Sequence, residues 1–291
     1  MQASNTEPLR GFWRGMESGV RAMSSLRIGS AGLVSALAGL ALSMGSAAAN
    51  GLKDGYAPVQ DTKAWVLFSG FDAVEDASYS FQGVIYSFNR DISRDGFVLR
   101  VYGSHVDYEY QTVAVPGGVV DGDGWQGDVM IGYKVSRGHW WAAGYLGVDY
   151  QDHDLTPNDP FNPVNGSEVG FKVAADVATL RHGTPLYFGL SGQYSTAFDS
   201  YWARARVGLN HDRFTFGPEA IALGSDSFDA HRLGGFVTFD LNLSPRMPIE
   251  VTLSAGYQFL DDNGGGGGGN FGTGSGGGEG VYGGIVFVTV F

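Results

Sequence analysis

Side-chain alternation with a period of two governs the chain from Thr62 onward. In "WQGDVMIGYKV", Trp125, Val129, Ile131, Tyr133 and Val135 share one face. Gln126, Asp128, Gly132 and Lys134 take the other, with Met130 the apolar exception. "SEVGFKVAADVAT" sets Val169, Phe171, Val173, Ala175 and Val177 against Glu168, Gly170, Lys172, Ala174 and Asp176. "YWARARVGL" sets Tyr201, Ala203, Ala205, Val207 and Leu209 against Trp202, Arg204 and Arg206. Successive strand side chains point to opposite faces, so this pattern means strands with one apolar and one polar side. The runs last nine to thirteen residues, whereas strands of globular domains usually have about five or six.

Twelve such segments are expected, near residues 63–72, 79–88, 96–106, 124–135, 139–150, 167–180, 186–195, 201–211, 213–223, 230–242, 249–260 and 280–291. Very short connections follow the fourth, sixth, eighth and tenth: "SRG", "RHGTP", the His211–Asp212 corner and "LSPRMP". The one after the second, Asn89 to Asp95, is somewhat longer. The opposite end carries the three longest, Asp107 to Asp123, Gln151 to Gly166 and Asp261 to Glu279. Short turns at one end and long loops at the other, on an even number of ~10-residue strands, is the pattern of a transmembrane barrel. Hydrocarbon offers no hydrogen bonds, so a spanning sheet must close on itself. The expected fold is all-β: a closed antiparallel up-and-down transmembrane barrel of about twelve strands over residues 62–291. A soluble sandwich also alternates, but with shorter strands and no loop rhythm; a lipocalin-like barrel usually has eight strands.

The N-terminus agrees with export. Arg10, Arg14, Arg21 and Arg27 precede an uncharged run, "IGSAGLVSALAGLALSM", and Ala47-Ala48-Ala49 follows. That is the design of a cleavable signal peptide over residues 1–49, with 1–22 an over-called start if translation begins at Met23. Residues 50–61 then form a short periplasmic lead, and the expected location is the bacterial outer membrane. There is no cysteine, so hydrogen bonding and packing must hold the exported chain without disulfides. The net charge is −12, and removing residues 1–49 makes it −14. Such a chain repels phosphate backbones, which argues against a nucleic-acid partner.

The polar face carries charge of both signs: Arg100, Asp128, Lys134, Glu168, Lys172, Asp176, Arg204, Arg206, Glu219, Arg232, Asp240 and Glu250. These groups either line a polar passage or pair across a closed lumen. Twelve strands lie between small filled barrels and the 16–18-stranded water channels, and both readings stay open. The segment "DYQDHDLTPNDPFNPVNGSE" is expected as a long extracellular loop, solvated and stiffened by its prolines. As an EF-type calcium loop it fails: counted from Asp152, position six is Pro157 and position twelve is Pro163. A looser calcium site from Asp152, Asp154 and Asp159 is the alternative; no metal and no cofactor is expected. No nucleophile elbow, zinc-protease or phosphate-loop motif occurs, so no catalytic residue is assigned.

Four stretches, "GVDYQDHDLTPNDPFNPVNGSEVGFKVAAD", "YSTAFDSYWARARVGL", "FGPEAIALGSDSFDAHRLGGF" and "LSAGYQF…GEGVYGG", resemble the cellulose biosynthesis protein BcsS family of alphaproteobacteria, from Trp65 to Phe291. The resemblance implies an outer-membrane barrel associated with cellulose synthesis or secretion. Its implied partners are outer-membrane lipid, the cellulose chain and other subunits of the cellulose-synthase complex. Asp152, His153, Asp154, Asp159, Trp202, Arg204 and Arg206 become the candidates for glucan or partner contact at one rim. A structural or adhesive barrel with a closed lumen is the competing expectation.

Overall fold

Alternation becomes twelve antiparallel strands, each bonded to its neighbours in sequence, with the last closing on the first. The computed structural model describes residues 63–181, 184–241, 248–260 and 278–291. The expected leader over 1–49, the lead over 50–61 and the glycine-rich stretch 261–277 lie outside the described residues. The strands are β1 (Trp65–Val74), β2 (Ala77–Ser87), β3 (Gly96–Gln111), β4 (Val119–Arg137), β5 (Trp140–Thr156) and β6 (Gly166–Thr179). They continue as β7 (Leu186–Ser195), β8 (Tyr201–His211), β9 (Phe214–Ser225), β10 (Phe228–Leu241), β11 (Ile249–Leu260) and β12 (Gly280–Val290). Closure joins β1 to β12 in register from Val66 opposite Val290 to Ala73 opposite Gly283. Phe291 adds a reciprocal pair of backbone bonds with Trp65, at 2.9 and 3.0 Å. No sheet edge is left for hydrocarbon to face unpaired.

Three strands are longer than expected. β3, β4 and β5 have 16, 19 and 17 residues, where ~9–11 tilted residues cross a bilayer. Their surplus overhangs the barrel at the loop end. The connection expected over Asp107 to Asp123 therefore shrinks to 112–118, and that over Gln151 to Gly166 shrinks to 157–165. The loop rhythm is also less regular than expected, because residues 75–76 and 226–227 are two-residue turns at the loop end. The overhang has its own small core of Tyr108, Tyr110, Val115, Val120 and Leu155. Residues 157–165 fold onto it: Val164 and Asp159 are buried, and Tyr110 donates to Asp159 Oδ2 at 3.1 Å. Asp159 and Val164 anchor the segment, while Pro157, Asn158, Pro160, Phe161, Pro163 and Asn165 stay exposed, as expected of a solvated loop.

The outward face is apolar. Ile131, Leu146, Phe171, Val207 and Leu233 each keep more than half of their surface exposed. Exposed rings flank this belt at both ends: Trp65, Phe97, Tyr133, Trp140 and Phe214 at the turn end, and Trp125, Tyr150, Tyr194 and Tyr257 at the loop end. An apolar belt between aromatic girdles suits a bilayer. The inner face is not uniformly polar, as strict alternation implied. β1, β2 and β12 turn Val66, Phe68, Phe81, Ile85, Val286 and Val288 into the lumen. Phe68 and Phe81 pair with Gly83 and Gly70 across β1 and β2. A Cβ at Gly83 would meet the Phe68 ring at 2.3 Å, and one at Gly70 would meet Phe81 at 2.5 Å. The two glycines give the rings the space in which to lie flat on the inner wall, a ring-over-glycine device for pinning register.

Candidate functional site

A cavity of about 930 Å³ runs along the barrel interior, and all twelve strands contribute to its wall. Its lining extends from Ser93, Gly138 and Pro248 at the turn end to Phe198, Ser225 and Phe228 at the loop end. The apolar inner wall of β1, β2 and β12 faces a wall of cations lying on aromatic rings. Arg100 lies 5.0 Å from the Tyr102 ring centre, Arg204 5.0 Å from Trp202, Arg206 4.7 Å from Phe236 and Arg232 5.3 Å from Tyr282. Alternation places these side chains inward and cross-strand register stacks them at related depths.

Polar bonds cross the lumen as chords. Arg100 on β3 donates to Gln193 on β7 at 3.0 Å, and Arg232 on β10 reaches Asp72 on β1 at 2.9 Å. Arg206 pairs with Glu219 at 2.7 Å and donates to Ser254 on β11 at 3.0 Å. Tyr282 donates to the other Glu219 oxygen at 3.0 Å. Near the turn end, Arg181 holds Asp240 at 3.0 Å and Glu250 at 3.1 Å. Lys172 lies 2.8 Å from Asp128, and Arg100 approaches the same carboxylate at 3.6 Å. The Lys172–Asp128 contact has ion-pair distance without hydrogen-bond geometry, and Lys172 Nζ and both Asp128 oxygens have no hydrogen-bond partner among the described residues. The Tyr102 ring, 5.5 Å from Lys172 Nζ, flanks the pair.

A short 3₁₀ turn, η1 (Ala197–Asp199), lies at the loop end and contributes Phe198 to the cavity lining. Phe198 and Asp199 have φ of +51° and +43°, a left-handed backbone unusual for a bulky residue. The turn is tied down from several sides: the Phe198 amide donates to Glu168 Oε2 at 3.1 Å, and Gln151 donates to Ser200 at 2.7 Å. The His153 ring stands edge-on to Phe198 at 5.4 Å. Burial holds the His153 imidazole below its usual range, against the pull of Asp152 and Asp123.

The candidates therefore do not share one rim. Trp202, Arg204 and Arg206 line the lumen itself. Asp152 and Asp154 belong to β5, where they pair with Trp125 and Asp123 of β4 on the outward parity. His153, between them, faces inward beside Tyr108 and Phe198. Asp159 is buried in the overhang. The looser calcium site from Asp152, Asp154 and Asp159 is thus not assembled, because Asp152 and Asp154 face outward on β5 while Asp159, beyond the strand, is buried against Tyr110. Among the described residues the one group with metal-ligand spacing is His105, Asp107 and Asp123. There the imidazole contacts both carboxylates, at 3.4 and 2.7 Å, with the Trp125 ring beside it. Gln193, Asp72, Tyr102 and Tyr282 join the lumen without having been singled out; their inward parity was the available signal.

Closure, a belted apolar wall and a charged lumen define a β-barrel of the outer-membrane type. Solved structures agree only loosely in shape. The KdgM porin aligns over 78% of this chain and 98% of its own, with 7% identity and a TM-score of 0.36. The β domain of the Bordetella autotransporter BrkA aligns over 79% and 99%, with 10% identity and a TM-score of 0.40. A deletion mutant of the monoaromatic hydrocarbon channel TodX aligns over 78% and 88%, with 8% identity and a TM-score of 0.39. No curated protein matches in sequence. The sequence does match the family described as cellulose biosynthesis protein BcsS, over residues 66–291, and the chain belongs to that family.

Proposed function

We propose that this protein sits in the outer membrane and guides an exported glucan through its lumen as an accessory of cellulose synthesis. The observation that supports this most is the cavity lined by all twelve strands from the turn end to the loop end. Its wall offers rings for sugar faces (Tyr102, Trp202, Tyr282) and donors for hydroxyl groups (Arg100, Gln193, Arg206), the pairing of flat apolar surface with placed polar groups that ligand sites use. No reaction is assigned to it. Residues 50–291, refolded into planar bilayers, are expected to pass a steady current, and a strain lacking the gene to retain cellulose in the periplasm. Trp202→Ala with Arg206→Ala is expected to reduce export; unchanged export and glucan binding would overturn the lumen reading.

A second reading has its own support. The chords from Arg100, Arg206, Arg232 and Tyr282 narrow the interior, as in a barrel whose lumen is filled for stability. Electrical silence, with normal secretion in the deletion strain, would favour that structural role.

A further inference from the structure

Most of the charge in the lumen is internally compensated. Arg100 and Lys172 share Asp128, Arg206 has Glu219, Arg232 has Asp72, and Arg181 has Asp240. Arg204 has no carboxylate within 4 Å among the described residues, and its close contact is the ring of Trp202. Its cross-strand neighbours are Ser191 and Ile221, neither of which carries charge. Glu219, already engaged by Arg206 at 2.7 Å, and Asp176 attract it from beyond ion-pair range. Arg206, two residues along on the same face, adds a second positive charge. A guanidinium does not shed its proton, and a charge left unpaired away from bulk water is costly.

We infer that Arg204 is an oxyanion-binding residue of the lumen, taking a carboxylate or phosphate that is either free or carried on a saccharide. The planar guanidinium offers paired N–H donors to two oxygens of one anion, and Trp202 backs it with a ring face. Neutral glucose hydroxyls accept hydrogen bonds but supply no counter-charge, so the site discriminates by charge. The inference rests on the proposed access to the lumen from solvent, and not on through-passage.

Calorimetric titration of the mature barrel in detergent at low salt tests it, with glucuronate, inorganic phosphate and glucose as probes. Saturable binding of either anion, and none of glucose, is expected. Binding of both would mean that a free oxyanion suffices; binding of glucuronate alone would mean that the saccharide contributes. Arg204→Gln should weaken anion binding at least tenfold. Arg204→Lys should keep phosphate within a few-fold and lose more of glucuronate, because the paired donors are gone. Arg94→Gln, on an exposed turn, should change nothing. If Arg204→Gln does not refold, the Arg204→Lys contrast between the two anions decides. Equal binding of glucose and glucuronate, anion binding indifferent to residue 204, or no anion binding at all would overturn the assignment. A silent bilayer with intact anion binding would remove the conduit and leave Arg204; an open channel that binds no anion would do the reverse.

Discussion

Replacing Lys172 by Met should expose how much the lumen depends on paired charge. Lys172 and Asp128 are almost wholly shielded, with side-chain exposures of 1% and 0%, and lie 2.8 Å apart. Removing the ammonium leaves the Asp128 carboxylate with only Arg100, at 3.6 Å. Breaking a buried pair from one side costs about 3–5 kcal/mol, because the remaining charge is uncompensated. Asp128→Asn should cost at least as much, since two cations then lose their partner. The pair lacks hydrogen-bond geometry, so attraction does not fully offset its desolvation. The double variant should therefore recover part of the loss, Arg100 alone being left without its carboxylate, and the two single losses should be strongly non-additive. Arg94→Ala, which breaks an exposed pair with Asp91, should cost under ~1 kcal/mol. Urea unfolding of the barrel in lipid vesicles, followed by tryptophan fluorescence, measures all four. A Lys172→Met loss below ~1 kcal/mol would show that water reaches and solvates this site, and the reasoning would fail.

The outer wall and the turn end give further expectations. Leu146→Arg, in mid-belt between Ile131 and Val173, should cost about 2–4 kcal/mol in vesicles, whereas Asp154→Arg on the overhang should change stability by less than ~0.5 kcal/mol; equal effects would remove the belt. Asp95 accepts from the Ser136 amide at 2.8 Å and pairs with Arg137, and these contacts hold its carboxyl below the usual range. Its stabilisation is present above the unfolded carboxylate value near ~4 and is lost as pH falls through the lower folded value. Wild type should therefore exceed Asp95→Asn in stability at pH 7, with the gap closing as acid is added; a gap that widens in acid would contradict this. For His153 the unfolded chain binds the proton more readily, because burial favours the neutral imidazole. Stability at the loop end should thus fall as pH drops below ~6.5, and His153→Gln should flatten that slope in hydrogen exchange of residues 151–155.

The wall was legible where one residue in two is apolar, as from Val129 to Tyr133 and from Val169 to Val177. It was less legible where the lumen itself is apolar. Phe68 and Phe81 face inward because glycines opposite make room for rings, and alternation of polarity says nothing about that. Strand ends were misplaced where the sheet leaves the membrane. Beyond the belt both faces are polar, so "QDHDLT" reads as loop although its parity continues that of Tyr150 and Gln151. That same parity separates His153 from Asp152 and Asp154; the burial of Asp159 against Tyr110, which keeps it from joining them, was not readable from it. Trp202, Arg204 and Arg206 were readable as a lumen-facing set. Their chords, such as Arg206 to Ser254 and Arg100 to Gln193, were not, because they depend on the cross-section of the closed barrel and not on neighbouring strands.

The chain has no native cysteine, so single cysteines report faces cleanly. Ser191 and Gln193 line the lumen, whereas Phe188 and Leu190 take the opposite parity on β7 and are exposed on the outer wall. In the refolded barrel in vesicles, Ser191→Cys and Gln193→Cys should react with a water-soluble maleimide. Phe188→Cys and Leu190→Cys should resist it and be quenched by lipid-borne nitroxides once labelled in detergent. Reaction at 188 and 190 with protection at 191 and 193 would mean that the greasy face points away from lipid.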